Sequence, residues 1–514
     1  MYNLATNLER NAIFRPNNIA LIFQDQKITY FELNQKVNAI ADHLTQLNIK
    51  PNDKIALSCP NTPEFIISYY AIQKVGAIVV PLNIMLKGDE VAYHLKDSDA
   101  VALISHQGSD AMPIGQFSYD GFQKADFCEH FILIETTNDH ISSTTHSFNR
   151  WLETGRKTFD AVYRSADDSC VILYTSGTTG AAKGAELSQS NMLCNAQACQ
   201  SLTNQKGTDV SIAILPLFHS FGQSLIMNTS ILAGSALVLI PRFVPKTVLQ
   251  QINEHKVTHL AAVPTMFIGL MTYVEKHPID YLDEIAKNLQ VAISGGASMP
   301  IQILKQFEEK LKVPVIEGYG LSESSPVAAF NHLEFERKPG SIGQPLPGIT
   351  MKVVDKNGHE VPTGTEGELI MRGHNVMKGY YKKPQETAKT IIDGWLYTGD
   401  IVRFDDEGYI YVVDRLKELI ISGGYNIYPR EVEEVYMKHP SVHLVAVIGI
   451  DHPRFGEEVK AFIILKEGHS ISEKELIKWS REHLADYKCP KHLDIVEALP
   501  MTATGKILKR MLKA

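Results

Sequence analysis

The stretch VILYTSGTTGAAKG, residues 171–184, sets the reading of the whole chain. Val171 to Tyr174 are apolar or β-branched and read as a buried strand. The ten residues that follow hold three glycines, four hydroxyls and Lys183. Glycine permits backbone angles and close approaches that other residues disfavour. Such a turn can aim N–H groups and hydroxyls at phosphate oxygens while the lysine adds charge. The P-loop spacing Gly-x-x-x-x-Gly-Lys-Ser/Thr does not fit here. A loop of this composition is on average a flexible turn. The strand before it, the lysine and the density of hydroxyls favour a phosphate cradle.

Outward from this loop, β-branched runs alternate with helical stretches. The runs include Ile78 to Val80, Val101 to Ile104, Ala236 to Ile240, His259 to Val263 and Val291 to Ser294. Glu90 to Lys96 and Lys246 to His255 are suited to crossover helices. This predicts an α/β fold built from βαβ units with largely parallel sheets. From about Gly340 the texture changes to short strands between glycine turns, as in Gly364 to Arg372 and Tyr409 to Val413, which predicts a small β-rich subdomain. Residues 106–165 carry no sharp motif.

A boundary is expected near Asp414 to Lys417, giving a large part at 1–414 and a small α+β domain at 415–514. The tail is locally basic: Lys488, Lys491, Lys506, Lys509, Arg510 and Lys513 stand against Asp494 and Glu497. A solvated helix end explains such a bias as well as a basic lip closing over a polyphosphate does.

The 514 residues are 44% hydrophobic and 21% charged, which excludes a disordered or fibrous chain. The net charge of −8 argues against global attraction to nucleic acid or anionic membrane. Cys59, Cys128, Cys170, Cys194, Cys199 and Cys489 form no Cys-x-x-Cys pair and read as reduced, mostly buried thiols. MYNLATNLER lacks the pattern of a signal peptide, and MLKA matches no targeting or prenylation signal. Leu225 to Ile240 is interrupted by Asn228, Thr229, Ser230 and Ser235, and is expected to be a buried helix running into a strand, not a membrane span. A cytoplasmic protein is expected. Symmetric pairs being the commonest assemblies, a homodimer is carried as the expectation beside a monomer.

YTSGTTGAAKG resembles the phosphate-binding signature of the adenylate-forming superfamily, which includes acyl-CoA synthetases, firefly-type luciferases and peptide-synthetase adenylation domains. Seven further strings match that family in the expected order: LPLFH (215–219), SGGAS (294–298), EGYGLSE (317–323), WLYTGD (395–400), VDRLKELI (413–420), GGYNIYPREVE (423–433) and TATGK (502–506). Together they cover nearly the whole chain. One departure is Ala182, where the family usually has proline before the lysine. That change loosens the loop but removes no phosphate-binding group.

The resemblance implies a two-step reaction. A carboxylate attacks the ATP α-phosphate with release of pyrophosphate, and the thiol of coenzyme A then displaces AMP. It implies that Thr175, Ser176, Gly177, Thr178, Thr179, Gly180 and Lys183 hold the phosphates. Glu323, with Thr178, would hold Mg²⁺, and Ser322 would add a polar contact. Gly295, Gly296, Ala297, Glu317, Gly318, Tyr319 and Gly320 match the adenine-site segments, with Tyr319 placed to stack on the base. Asp400 is implied to hold the ribose, and Arg415 the same ribose or the phosphates. Lys506 would bind the pentavalent phosphate and the carboxylate during adenylation, and Lys417 would be the hinge of a mobile lid. Gly423, Gly424 and Tyr425 would line the approach of pantetheine, although Gly-Gly also reads as a hairpin turn. His219 is placed beside the acyl carboxylate or the thioester-forming site, and alone would read as a core histidine.

Ser220 to Leu225, Val263 to Phe267 and Ser325 to Ala329 are small or apolar and hold no carboxylate, so an apolar acyl group is expected. The strings most resemble bacterial medium- to long-chain fatty-acid–CoA ligases. Two alternatives stand beside that reading. One is a freestanding enzyme that loads an acyl or aryl acid onto a separate carrier protein. The other is an inactive ATP-binding sensor, against which intact Lys183, Glu323, Asp400, Arg415 and Lys506 argue.

Overall fold

The computed structural model describes residues 2–137, 145–175, 182–416, 418–422, 425–453 and 455–512, with Arg415 described by its backbone. Two large sheets dominate. The first runs in the order Gln344–Pro345, Val327–Phe330, Val315–Gly320, Val291–Ser294, His259–Ala262, Val210–Ala213, Ala236–Leu239, Ile19–Phe23 and Gln26–Thr29. Its central strands, from Val315–Gly320 to Ile19–Phe23, are parallel, and both ends are finished by antiparallel pairs. The second runs Gly379–Tyr380, Lys183–Ser188, Ser169–Thr175, Ile78–Pro81, Lys54–Ser58, Ala100–His106, His130–Ile134 and His146–Ser147. It is parallel except where Lys183–Ser188 pairs with Ser169–Thr175 and with Gly379–Tyr380.

The parallel strands are apolar without alternation because helices cover both faces. Every residue of Ile78–Pro81, His259–Ala262 and Val291–Ser294 is buried. Crossovers are supplied by helices such as Gly88–Ser98, Pro245–Glu254, Pro264–Lys276 and Ile301–Leu311. Pro245 and Pro264 open two of them, where a missing N–H costs nothing. The stretch without a motif, 106–165, supplies helices Ile114–Phe122 and Phe148–Thr154 and the last two strands of the second sheet.

Leu225 to Ile240 is a buried helix followed by a strand, as expected, but the helix begins earlier and is wound more widely. Gly222–Asn228 forms a π-helical segment that continues as Thr229–Ala233 and leads into the strand Ala236–Leu239. Gly222 lies so close to Pro216 that any side chain there would stand 2.5 Å from the Pro216 carbonyl oxygen.

The β-rich region is a third, antiparallel sheet of Ile349–Val354, Gly367–Gly373, Trp395–Phe404, Ile391–Ile392 and Ile410–Arg415. The next strand, Ile420–Ser422, belongs to a fourth sheet with Tyr425–Ile427, Gly456–Leu465, Val442–His452 and His492–Ile495. That sheet packs with the helices Pro429–Met437 and Glu473–His483 around a core of its own, including Ile427, Tyr436, Val447, Ile463 and Leu476. A separate apolar cluster joins it to the large part, with Ile268 and Ile303 against Leu444, Ala446, Phe462 and Leu499. All six cysteines are free, and five are buried. Among the described residues, no helix is long and apolar enough to cross a membrane.

Candidate active site

The carboxyl ends of the first sheet's parallel strands gather the candidate residues, the usual location of ligand sites in open α/β sheets. The turn carrying Lys506 reaches this edge. Met501 bridges to Ile507, the Thr502 N–H donates to the Lys506 carbonyl at 2.7 Å, and the Lys506 N–H donates to Thr502 Oγ1 at 3.0 Å. Thr265, just past the strand His259–Ala262, donates its hydroxyl to the Gly505 carbonyl at 3.0 Å. Gly505 has φ +77°, and a side chain on it would stand 2.7 Å from Thr265 Oγ1. Gly296 has φ +82°, and a side chain there would stand 3.2 Å from Lys506 Cε and 3.8 Å from Nζ. Two glycines thus let a lysine at the far end of the sequence lie on the backbone that follows strand Val291–Ser294.

His219 is close enough to Lys506 to feel its charge. Enclosure, and secondarily the Lys506 ammonium, push the imidazole down to about 3, so the ring is neutral at ordinary pH. The Phe221 N–H donates to its Nδ1 at 3.3 Å, which leaves the proton on Nε2. The unfolded chain protonates His219 near about 6.5 whereas the folded chain resists until about 3, so stability falls as pH drops through that window. His219→Asn is therefore expected to lose less stability than the wild type between pH 7 and pH 5, by about 1–2 kcal/mol. Thermal melts of both proteins across that range check this; parallel losses would refute it.

The next residues tie this corner together. Ser220 and Ser322 share a hydrogen bond at 3.3 Å, and the Phe221 ring lies 3.1 Å from where a side chain on Gly295 would be. Tyr319 donates its hydroxyl to Asp400 Oδ2, linking strand Val315–Gly320 of the first sheet to Trp395–Phe404 of the third. Asp400 is buried, its N–H donates to Thr398 Oγ1 at 3.1 Å, and it faces Arg415 across the strand ladder. Side chains at Gly318 or Gly320 would overlap the Phe330 ring or the Pro326 carbonyl, so both glycines have a packing reason to be there. Ala297 is exposed.

A second group assembles around Lys183, where the strand Lys183–Ser188 begins. Thr175 pairs with Lys183 across the ladder that flanks the turn, and the Ala182 carbonyl accepts from the Tyr93 hydroxyl at 2.7 Å. Lys183 forms an ion pair with Glu386, and its ammonium lies 5.1 Å from the centre of the Tyr380 ring. The Tyr380 hydroxyl donates to Glu323 Oε1 at 2.9 Å. Burial and the neighbouring Glu323 push that phenol well above its ordinary value, so it stays a donor. Glu323 is also anchored by its carbonyl, which accepts from the Met377 N–H at 2.9 Å. Among the described residues, no three His, Cys, Asp or Glu side chains gather as a metal site. One carboxylate oriented by Tyr380 suits Mg²⁺, which is bound through one or two carboxylates plus substrate phosphates.

Not every expected residue is brought to these groups. Glu317 accepts from the Gly340 N–H at 2.8 Å and is pushed up to about 7, mainly by burial, with Arg430 opposing. That bond directs it to Gly340 while Tyr319, on the same strand, meets Asp400. Tyr425 is exposed and packs on Tyr487 with ring centres 4.7 Å apart. Ser176, Gly177, Thr178, Thr179, Gly180, Lys417, Gly423 and Gly424 lie outside the described residues, as does the side chain of Arg415. The strands flanking the Gly-Gly pair are antiparallel, with Ser422 opposite Tyr425. Ser220, Tyr380 and Glu386 were not singled out from the sequence. Tyr380 and Glu386 lie in GYYKKPQET (379–387), whose tyrosines and charges alone signal only a surface turn.

The model of the AMP-binding enzyme family matches residues 8–381, and that of the AMP-binding enzyme C-terminal domain matches 431–506. The chain belongs to the AMP-binding enzyme family. It is 35% identical to the long-chain-fatty-acid–CoA ligase of Bacillus subtilis (strain 168), covering 97% of this chain and 91% of that one. It is 32% identical to a feruloyl-CoA synthase of an Amycolatopsis species, covering 97% and 96%. Among solved structures, an anthranilate CoA ligase in complex with anthranoyl-AMP superposes with a TM-score of 0.91 at 29% identity, over 99% of this chain and 96% of that one.

Proposed function

We propose that this AMP-binding enzyme is an ATP-dependent acid–CoA ligase, and that its acid is a medium- or long-chain fatty acid. In the first step a carboxylate oxygen bonds to the α-phosphorus and pyrophosphate leaves. In the second the thiol of coenzyme A loses its proton, its sulfur bonds to the acyl carbon, and AMP leaves. The observation that carries the reading is the seating of the Lys506 turn on Gly296 beside a neutral His219. The first step brings two anions together, and Lys506 supplies a cation where charge develops. A neutral His219 adds no competing charge and offers a donor at Nε2. Asp400, fixed by Tyr319, is suited to accept both ribose hydroxyls. Lys183 and Glu323, joined through Tyr380, are suited to hold the terminal phosphates and Mg²⁺, the ion neutralising phosphate charge when bound.

We take residues 415–514 as a lid pivoting at Lys417, because one cap must present Lys506 for the first step and withdraw it for the second. The relatives, which span fatty and aromatic acids by name, support the ligase reading more broadly than its acyl specificity. A small cavity is compatible with a fatty acid. It is lined by Ile212, Leu225, Ile226, Ala261 and Ile293 together with the polar Thr203, Gln205, Ser211 and His259. Ala261 and Ile293 each precede by two residues a site position, Val263 and Gly295, which is roughly 7 Å along a strand. We read the cavity as the blind end of the acyl site. Ala261→Leu is then expected to shift the preferred acid to shorter chains while leaving the ATP requirement unchanged. A chain-length profile of CoA thioester formation, by mass spectrometry with hydroxylamine trapping of acyl-adenylate in parallel, tests both claims. An unchanged profile in the variant would discard the cavity. Adenylate without CoA thioester would discard the CoA acceptor in favour of a carrier protein.

A further inference from the structure

Lys183, the cation of the phosphate turn, is already paired. It opens the strand Lys183–Ser188, and the segment that supplies its partner is strapped to that strand from Gly184 to Glu186. Gly379 pairs with Glu186 and Tyr380 with Ala185, while the Lys378 N–H donates to the Glu186 carbonyl at 2.9 Å and the Tyr381 N–H to the Gly184 carbonyl at 2.8 Å. The chain then turns into the helix Pro384–Thr390, and the Tyr380 N–H, bonded to Thr387 Oγ1 at 2.9 Å, fixes that turn. Glu386 thereby meets the Lys183 ammonium, which lies over the Tyr380 ring. Lys389 holds Glu386 from its other side at 3.0 Å. Tyr380 passes the order on to Glu323 through its hydroxyl.

We propose that Glu386 is a resident counter-ion of the phosphate turn, which occupies Lys183 until the terminal phosphates of the nucleotide displace it. The proposal rests on the reading of Lys183 as a phosphate ligand. A carboxylate offers a lysine the same kind of oxygen acceptor that a phosphate does. A polyphosphate carries more negative charge and wins the exchange, but breaking the existing pair reduces its net affinity. Lys389 takes up Glu386 when it is released, so no carboxylate is left without a cation near the incoming phosphates. Glu386 is in this account a positioning residue: it holds Lys183 over Tyr380, whose hydroxyl meets Glu323, and sets how tightly the terminal phosphates are gripped. The competition falls on ligands with terminal phosphates, ATP and pyrophosphate, and spares AMP.

The test measures binding of ATP, pyrophosphate and AMP to the full chain by calorimetry, with Mg²⁺ present, for the wild type, Glu386→Gln and Glu386→Asp. Both partners of the pair reach solvent, so the expected gain is modest: Glu386→Gln should bind ATP and pyrophosphate about two- to fivefold tighter with AMP unchanged. Glu386→Asp should return toward the wild type. Weaker ATP binding in Glu386→Gln would overturn the proposal, since Glu386 would then be assisting Lys183 and not competing for it. An equal shift for AMP would also overturn it, because that is the mark of a general disturbance of the site. A wild type that binds no ATP would sink the ligase reading itself, a result distinct from an ATP-binding wild type whose affinity Glu386→Gln leaves unchanged.

Discussion

Lys506→Ala is expected to slow carboxylate adenylation by about 10²- to 10³-fold, the scale seen when one preorganised donor to a developing charge is removed. Thioester formation from supplied acyl-adenylate should stay near the wild-type rate. The asymmetry follows from what the lysine touches. In this structure its side chain lies on Gly296 and its charge reaches His219, so it belongs to the arrangement that serves the first step. Residues 415–514 meet the large part through the Thr265 bond to the Gly505 carbonyl, the apolar cluster around Ile268 and Phe462, the Lys276–Glu467 ion pair, the Tyr428–Glu366 hydrogen bond and Arg430 on Val412 and Asp414. Separate assays of pyrophosphate release and of CoA consumption from acyl-adenylate check the split. Equal losses in both, with an unchanged melting temperature, would mean that Lys506 does not leave between the steps.

Gly505→Val should imitate that defect without touching the lysine. Gly505 is held at φ +77°, where a non-glycine residue pays about 1–2 kcal/mol. The new side chain would also stand 2.7 Å from Thr265 Oγ1, too close to remain. Either the turn changes shape or it lifts from Thr265, and in both cases Lys506 is displaced. A misplacement of about 1 Å can cost on the order of 10²-fold, so adenylation should fall by that order while the second step is spared. Thr265→Ala, which removes the hydroxyl and makes room, should restore part of the rate in the double variant. An adenylation rate unaltered by Gly505→Val would show that the turn does not depend on this contact.

The sequence exposed some of this arrangement and hid the rest for identifiable reasons. The strand before the phosphate turn, the parallel sheets and the β-rich insert were readable because apolar runs and glycine turns are local signals. Lys506 was readable because its turn carries Thr504 and Gly505 in a fixed string. The Lys183–Glu386 pair was not, since its partners are 203 residues apart and meet only because Gly379–Tyr380 adds to the edge of the second sheet. The bond from Tyr319 to Asp400 likewise joins two sheets across 81 residues. Tyr319 was read for its ring face, and the bond from its hydroxyl to Asp400 had no local signal. Glu317 looked like part of the same segment, but Gly340 takes its carboxylate. Within 106–165, Phe131 to Ile134 is a continuous apolar run that does signal an interior strand, whereas the two-residue edge strand His146–Ser147 offers no such signal.

The central claim is that this site activates a carboxylate by joining it to AMP, and its most direct measurement is carboxylate-dependent exchange of labelled pyrophosphate into ATP, with no coenzyme A present. The account expects exchange with medium- and long-chain fatty acids, at a rate that depends on the acid supplied. Absence of exchange across fatty and aromatic acids, in a folded protein that binds ATP, would contradict it.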